Sequence, residues 1–131
     1  MKNMNPVGWF EIYVQDIGRA QKFYETVLEL KMSELPNPTG DELKMMMFTA
    51  PDESAMERTG STGALVRMTG MPSGGNSTLV YFMSEDCSVE ESRVKDAGGD
   101  VFKPKFSIGP HGFISLCTDT EGNIFGLHSM K

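Results

Sequence analysis

The sequence predicts an α+β fold made of two successive units, each a strand, a helix and three further strands. Three observations carry that prediction. An alternating strand runs directly into an amphipathic helix over residues 9–30, the pattern restarts after a glycine- and serine-rich stretch at residues 71–77, and the last two strands are joined by a strong hairpin turn.

In residues 9–30, WFEIYVQDIGRAQKFYETVLEL, Phe10, Ile12 and Val14 alternate with Trp9, Glu11, Tyr13 and Gln15. Successive strand side chains point to opposite faces, so one face is apolar and the other mixed aromatic and polar. Ala20, Phe23, Tyr24, Val27 and Leu28 then recur at helical spacing and form one apolar stripe. Asp16 stands where a carboxylate accepts from the orphan N–H groups of a helix start. Docking the stripe on Phe10, Ile12 and Val14 leaves Trp9, Glu11 and Tyr13 facing away from the helix. A functional site is expected on that face.

The remaining elements follow in order. A short strand is expected at 31–35, a turn with two prolines and a glycine at 36–41, and a strand at 43–50, LKMMMFTA, whose methionines read as core filler or as a soft pocket lining. Residues 51–63 are polar and small, a surface loop, and 64–69 a strand. Residues 71–77, MPSGGNS, have the composition of a linker. The second unit opens with a strand at 78–83. Its helix carries Ser88 and Glu91 at capping-box spacing and Gly98 as a stop. Only Val89, Val94 and Ala97 are clearly apolar there, which predicts a more exposed helix than the first. Strands at 100–106, 112–118 and 124–130 complete the chain, the last two joined by the turn DTEGN at 119–123. Setting Asp16 against Asp86 brings Leu28 opposite Gly98 and Glu11 opposite Tyr81. The two units so defined span about 7–70 and 77–130 of a single domain, 1–131.

Bulk properties bound the function. A chain of 131 residues holds one ordinary core, and its 39% hydrophobic and 23% charged residues describe a soluble globular protein. The longest unbroken apolar run, residues 79–83, is far short of a membrane span. The start, MKNMNPVG, lacks the apolar stretch of a signal peptide, so a cytoplasmic protein without a membrane partner is expected. A net charge of −6 argues against nucleic acid, whose phosphates demand a basic face, and is compatible with a cationic ligand. Cys87 and Cys117 form neither a metal nor a redox motif.

Two such units in this length resemble the vicinal oxygen chelate superfamily, which includes glyoxalase I, extradiol dioxygenases and bleomycin resistance proteins. Asp16 with Arg19-Ala20 and Phe23-Tyr24 is similar to the opening "D…A..FY..vLg" pattern of that superfamily. Asp86 with Gly98-Gly99 matches its counterpart in the second unit, and DTEGNIFGLHS at 119–129 matches the closing "D.eGN…l" hairpin. The likeness covers essentially the whole chain and is greatest to an uncharacterised glyoxalase-related branch. It implies cupped mixed sheets with helices outside, a ligand and often a divalent metal on the concave face, and frequently a homodimer. The metal ligands it implies fall on Trp9, within residues 64–66, on Leu79 and on Gly126, where no side chain can coordinate. No metal and no other cofactor is therefore expected, and glyoxalase I activity of the metal-dependent kind is not.

On the concave face the strand parity keeps Glu11 and His128, each two residues beyond a missing ligand. A carboxylate buried beside Trp9 and Tyr13 is expected to titrate high enough to act as a general base, with His128 sharing its proton, orienting it or anchoring an anionic ligand. The structural alternative is a hydrogen-bonded pair that merely satisfies burial. Trp9, Tyr13, Tyr81 and Phe113 are candidates to floor and wall a pocket for a small organic molecule, or are ordinary core aromatics. His111 reads as a rim or loop residue, Cys117 as a buried, inert thiol, and Arg67 as a candidate anion contact. Three functions remain: a metal-independent lyase- or isomerase-type enzyme using Glu11 and His128, a protein that sequesters a small molecule as the bleomycin resistance proteins do, and an accessory domain with a vestigial cavity.

Overall fold

A computed structural model of the chain describes residues 5–36, 42–49 and 59–131; all but the first residue of the turn expected at 36–41, and most of the loop at 51–63, lie outside these residues. The first unit comprises β1 (Phe10–Tyr13), α1 (Ile17–Leu28), β2 (Ser33–Leu35), β3 (Leu43–Met47) and β4 (Gly63–Met68). The second comprises β5 (Tyr81–Met83), α2 (Cys87–Val94), β6 (Asp100–Ser107), a 3-10 turn at Gly109–His111, β7 (Phe113–Thr118) and β8 (Ile124–Ser129).

The repeat inferred from element order is present in the topology. One sheet has the order β1-β4-β3-β2 and the other β5-β8-β7-β6. In each, the opening strand lies at an edge and pairs in parallel with its own unit's last strand, Glu11 opposite Ala64 in the first and Tyr81 opposite Gly126 in the second. The other pairings are antiparallel.

α1 forms as its stripe and cap demand. The Asp16 carboxylate accepts from the Arg19 N–H at 3.0 Å, and Ala20, Phe23, Tyr24 and Val27 are buried. α2 differs from expectation at its start. Asp86, not Ser88, caps it, accepting from both the N–H and the hydroxyl of Ser88. Glu91 instead accepts from the Lys105 N–H at 2.6 Å and ties the helix to β6. The first turn is thereby seated two residues earlier than the capping-box spacing implies, which places the buried Cys87 at the first helical position. α2 buries only Cys87 and Val94, consistent with its thin stripe; it ends at Val94, before the expected stop, and Gly98 with φ +103° closes the turn that follows, donating to the Lys95 carbonyl.

Both units contribute to one core. Ile12 and Val14 of the first unit, α1, and Phe125 and Leu127 of β8 belong to the same buried cluster, with Met46 as filler. Tyr24 sits at its centre, with its ring 5.6 Å from Phe125, 5.9 Å from Phe82 and 5.5 Å from Phe48. Such tilted and edge-on aromatic pairs add roughly 0.5–1.5 kcal/mol each beyond the area they bury. Among the described residues no helix is long and apolar enough to cross a membrane.

Candidate functional site

The turn DTEGN does more than reverse the chain. Asp119, Glu121 and Asn123 are all buried. Asp119 accepts from the Tyr24 hydroxyl at 2.7 Å, from the N–H groups of Glu121 and Asn123, and from the Asn123 side chain. Glu121 accepts from the N–H groups of Gln15 and Asp16 and from the Arg19 guanidinium, which grips both of its oxygens. Burial alone would raise the Glu121 carboxyl, but the Arg19 and backbone hydrogen bonds outweigh it and hold the group at about 2. Burial, with Asp119 alongside, drives the Tyr24 phenol well above its usual value. The turn is thus the clamp that seats the second unit against the start of α1.

The stretch with linker composition is an ordered strap on the same clamp. The Met71 carbonyl accepts from the Gln15 side chain, Ser73 donates to the Glu121 carbonyl, and the Gly74 N–H donates to Asn123 Oδ1 at 2.7 Å. Asn76 donates to the Ile124 carbonyl and accepts from its N–H. Asn123 Nδ2 completes the arrangement by donating to the Tyr13 carbonyl on β1.

Between β1, the strap and the start of β8 lies a crevice of about 440 Å³, walled by Phe10, Glu11, Ile12, Tyr13, Val80 and Ile124 and floored by Tyr24 and Phe125. Glu11 points away from the core, as alternation predicts, but it is exposed rather than buried. β1 is a four-residue edge strand, so no neighbouring strand flanks Glu11 on its outer side. Trp9 Nε1 donates to one Glu11 oxygen at 3.2 Å and the Tyr13 hydroxyl to the other at 2.9 Å. The hydrogen bond to Glu11 is the main reason the Tyr13 phenol is raised.

His128 also lies on the face its parity predicts, but in another cavity. It lines a space of about 280 Å³ with Tyr81, Met83, Ile108 and Ile114. Its Nε2 is 2.7 Å from the His111 carbonyl. A carbonyl only accepts, so Nε2 carries the proton and Nδ1 is the nitrogen left to accept one. Glu11 and His128 share neither cavity. Phe113 packs against the core with the Lys105 ammonium 4.8 Å from its ring centre and lines neither space. Arg67 is exposed on β4. Cys117 is buried, and burial pushes its thiol up, away from reactivity.

The residues do not fit the divalent metal that the family resemblance implies. Ala64, Leu65 and Val66 are fully buried apolar side chains, and a Cβ placed on Gly126 would fall 2.3 Å from the Tyr81 ring. That ring therefore fills the space a side-chain ligand on β8 would need. Among the described residues no three of His, Cys, Asp and Glu converge.

Comparison with known proteins agrees with this architecture. The family model for the bleomycin resistance protein-like N-terminal region matches residues 7–50. A glyoxylase-like domain-containing protein of Didymella fabae is 29% identical over 118 residues, covering 89% of this chain and 88% of that protein. Glyoxalase I from Zea mays superposes with a TM-score of 0.72 at 20% identity over 95% of this chain, which spans 46% of the maize protein. A glyoxylase/bleomycin resistance protein/dioxygenase domain from a Frankia species has a TM-score of 0.68 at 19% identity, covering 98% of this chain and all of that one. The partial family match, the relative and the two superpositions together support a place in the vicinal oxygen chelate superfamily, the group of the glyoxalases and bleomycin resistance proteins.

Proposed function

We propose that this chain binds a small organic molecule in the crevice between its two units, with Glu11 as the polar anchor, and that it holds the ligand rather than transforming it. The supporting observation is the arrangement at Glu11. Its carboxylate is oriented by Trp9 and Tyr13 at the wall of a cavity of ligand size, while His128 opens into a different space and spends its Nε2 proton on the His111 carbonyl. A lyase- or isomerase-type reaction is the second reading. Its support is the Tyr13 hydroxyl 2.9 Å from Glu11, a base with a proton donor beside it. A thermal-stability screen of small organic molecules, with and without divalent cations, tests the first reading, since any ligand of the folded state raises its Tm. Organic molecules are expected to shift Tm, with the shifts reduced in Glu11→Gln. Shifts from divalent cations alone would defeat the reading, and turnover lost in Glu11→Gln would favour the second.

The same reading includes a homodimer. β5 is an edge strand whose Tyr81 and Met83 are 42% and 76% exposed, an apolar edge of the kind that pairing covers. Solution scattering is expected to give twice the chain mass; a monomer at high concentration would exclude it.

A further inference from the structure

Resting on that binding site, the geometry points to a specific chemical class of occupant: a small organic cation, an apolar body carrying an ammonium group that meets Glu11. The first argument is charge. Glu121 faces Arg19, Asp86 faces Lys105, Glu34 faces Lys44 and Glu90 faces Arg93. Among the described residues no Lys or Arg pairs with Glu11, whose two partners, an indole N–H and a phenol O–H, are neutral. A carboxylate has about four acceptor directions, so one neutral donor on each oxygen leaves room for more. A charged N–H donor makes a shorter and stronger bond there than a neutral one, and an anion is repelled.

The second argument is what the rest of the crevice offers. Apart from the exposed Thr78 hydroxyl, its neutral polar side chains are already engaged: Tyr13 with Glu11, Ser73 with the Glu121 carbonyl, Asn76 with the Thr78 and Ile124 carbonyls, Asn123 with Gly74, Tyr13 and Asp119, and Tyr24 with Asp119. The apolar surfaces left to a ligand are chiefly Phe10, Val80 and Ile124, with the buried Ile12 and Phe125 behind them. One carboxylate without a cationic partner, at the wall of a space lined by both polar and apolar groups, selects a ligand with one cationic head and an apolar portion. A volume of about 440 Å³ lies within the range of small-molecule sites, and the net charge of −6 draws cations toward the protein.

The test is isothermal calorimetry and Tm shift with three probes of matched shape, 2-phenylethylamine, 2-phenylethanol and phenylacetate, on the whole chain. The amine is expected to bind tightest and phenylacetate not at all. Glu11→Gln, an exposed substitution that keeps the Trp9 bond's acceptor, is expected to weaken the amine at least tenfold and leave the alcohol unchanged. Val80→Trp, which fills the crevice from its wall, is expected to abolish amine binding; the unliganded Tm reports whether that variant is folded. Equal or tighter binding of the alcohol or the carboxylate overturns the cationic class while leaving the binding site intact. No binding by any probe removes the site and the class together. Amine binding unaffected by Glu11→Gln overturns the anchor, and amine binding retained in folded Val80→Trp overturns the location.

Discussion

Arg19 and Glu121 meet across the joint between the two units: Arg19 Nε lies 2.7 Å from one Glu121 oxygen and an Nη 2.9 Å from the other. The Glu121 side chain is wholly shielded from solvent while that of Arg19 is 53% exposed, so the carboxylate is the member whose charge must be satisfied inside. The N–H groups of Gln15 and Asp16 share in that. The start of α1 is therefore built against a negative charge supplied from the other end of the chain, which suits the positive end of a helix.

That carboxyl predicts an acid transition. Its folded value of about 2 lies below the ordinary 4.5, so its contribution is complete above about pH 4.5 and lost as pH falls toward 2. The shift corresponds to about 3 kcal/mol at neutral pH. Asp86, held at about 2 chiefly by Lys105, adds to the loss in the same window. Denaturant unfolding at a series of pH values is expected to show Glu121→Gln less stable at pH 7 and converging on the native chain near pH 2. Curves that stay parallel across the window would refute the assignment.

Tyr24→Phe probes the buried bond to Asp119. The substitution keeps the ring contacts and removes one of the donors that hold a carboxylate in the core. The expected cost is about 1–3 kcal/mol, measured by chemical unfolding. Because the Tyr24 phenol is raised well above its usual value, it is also expected to ionise only when the chain unfolds, which alkaline titration of tyrosinate absorbance follows. Tyrosinate from all three tyrosines before unfolding would contradict its burial.

The strand of Phe10, Ile12 and Val14, the α1 stripe and the restart after residue 77 were all legible, because alternation and helical spacing are local properties. Alternation along β1 also set Glu11 opposite to Ile12, and parity assigned Glu11 and His128 to one cup. Their separation was not legible, since parity assigns a face within a strand and says nothing of how two sheets stand relative to each other. The burial of Glu11 failed for a related reason: cover depends on neighbours that parity does not count, and β1, at an edge, has a strand on one side only. DTEGN was recognisable as a turn, but Tyr24, Arg19 and Tyr13, which give its three polar side chains their work, are about a hundred residues away in sequence. MPSGGNS resembles a flexible linker only until its partners on Glu121, Asn123 and Ile124 are seen.

Gly126 makes a second site-level prediction. An added Cβ would meet the Tyr81 ring at 2.3 Å, and that ring is partly exposed and free to swing outward. Gly126→Ala is expected to cost about 1–3 kcal/mol and to reshape the cavity at His128. The double variant with Tyr81→Ala should recover most of the loss, giving a coupling that a double-mutant cycle measures. Additive losses would show that the ring is not what requires glycine.

Asn123 is the residue through which clamp, strap and crevice act together. Its Nδ2 donates to the Tyr13 carbonyl at 3.0 Å and to Asp119 at 3.1 Å, while its Oδ1 takes the Gly74 N–H. Asn123→Ala leaves all three partners to find water or go unpaired, at a cost on the order of 3 kcal/mol. The loss is expected to be uneven. β7 and the rest of β8 keep their ladder, so hydrogen exchange should accelerate most at Gly74 and the neighbouring strap, and less in the core. Because β1 is held at Tyr13 by the same side chain, the crevice wall bearing Glu11 loosens with it, and the amine probe should bind more weakly without any change to Glu11 itself. Uniform acceleration across the chain would mean that Asn123 supports only global stability. Unchanged exchange at Gly74 would mean that the strap is held by its other bonds.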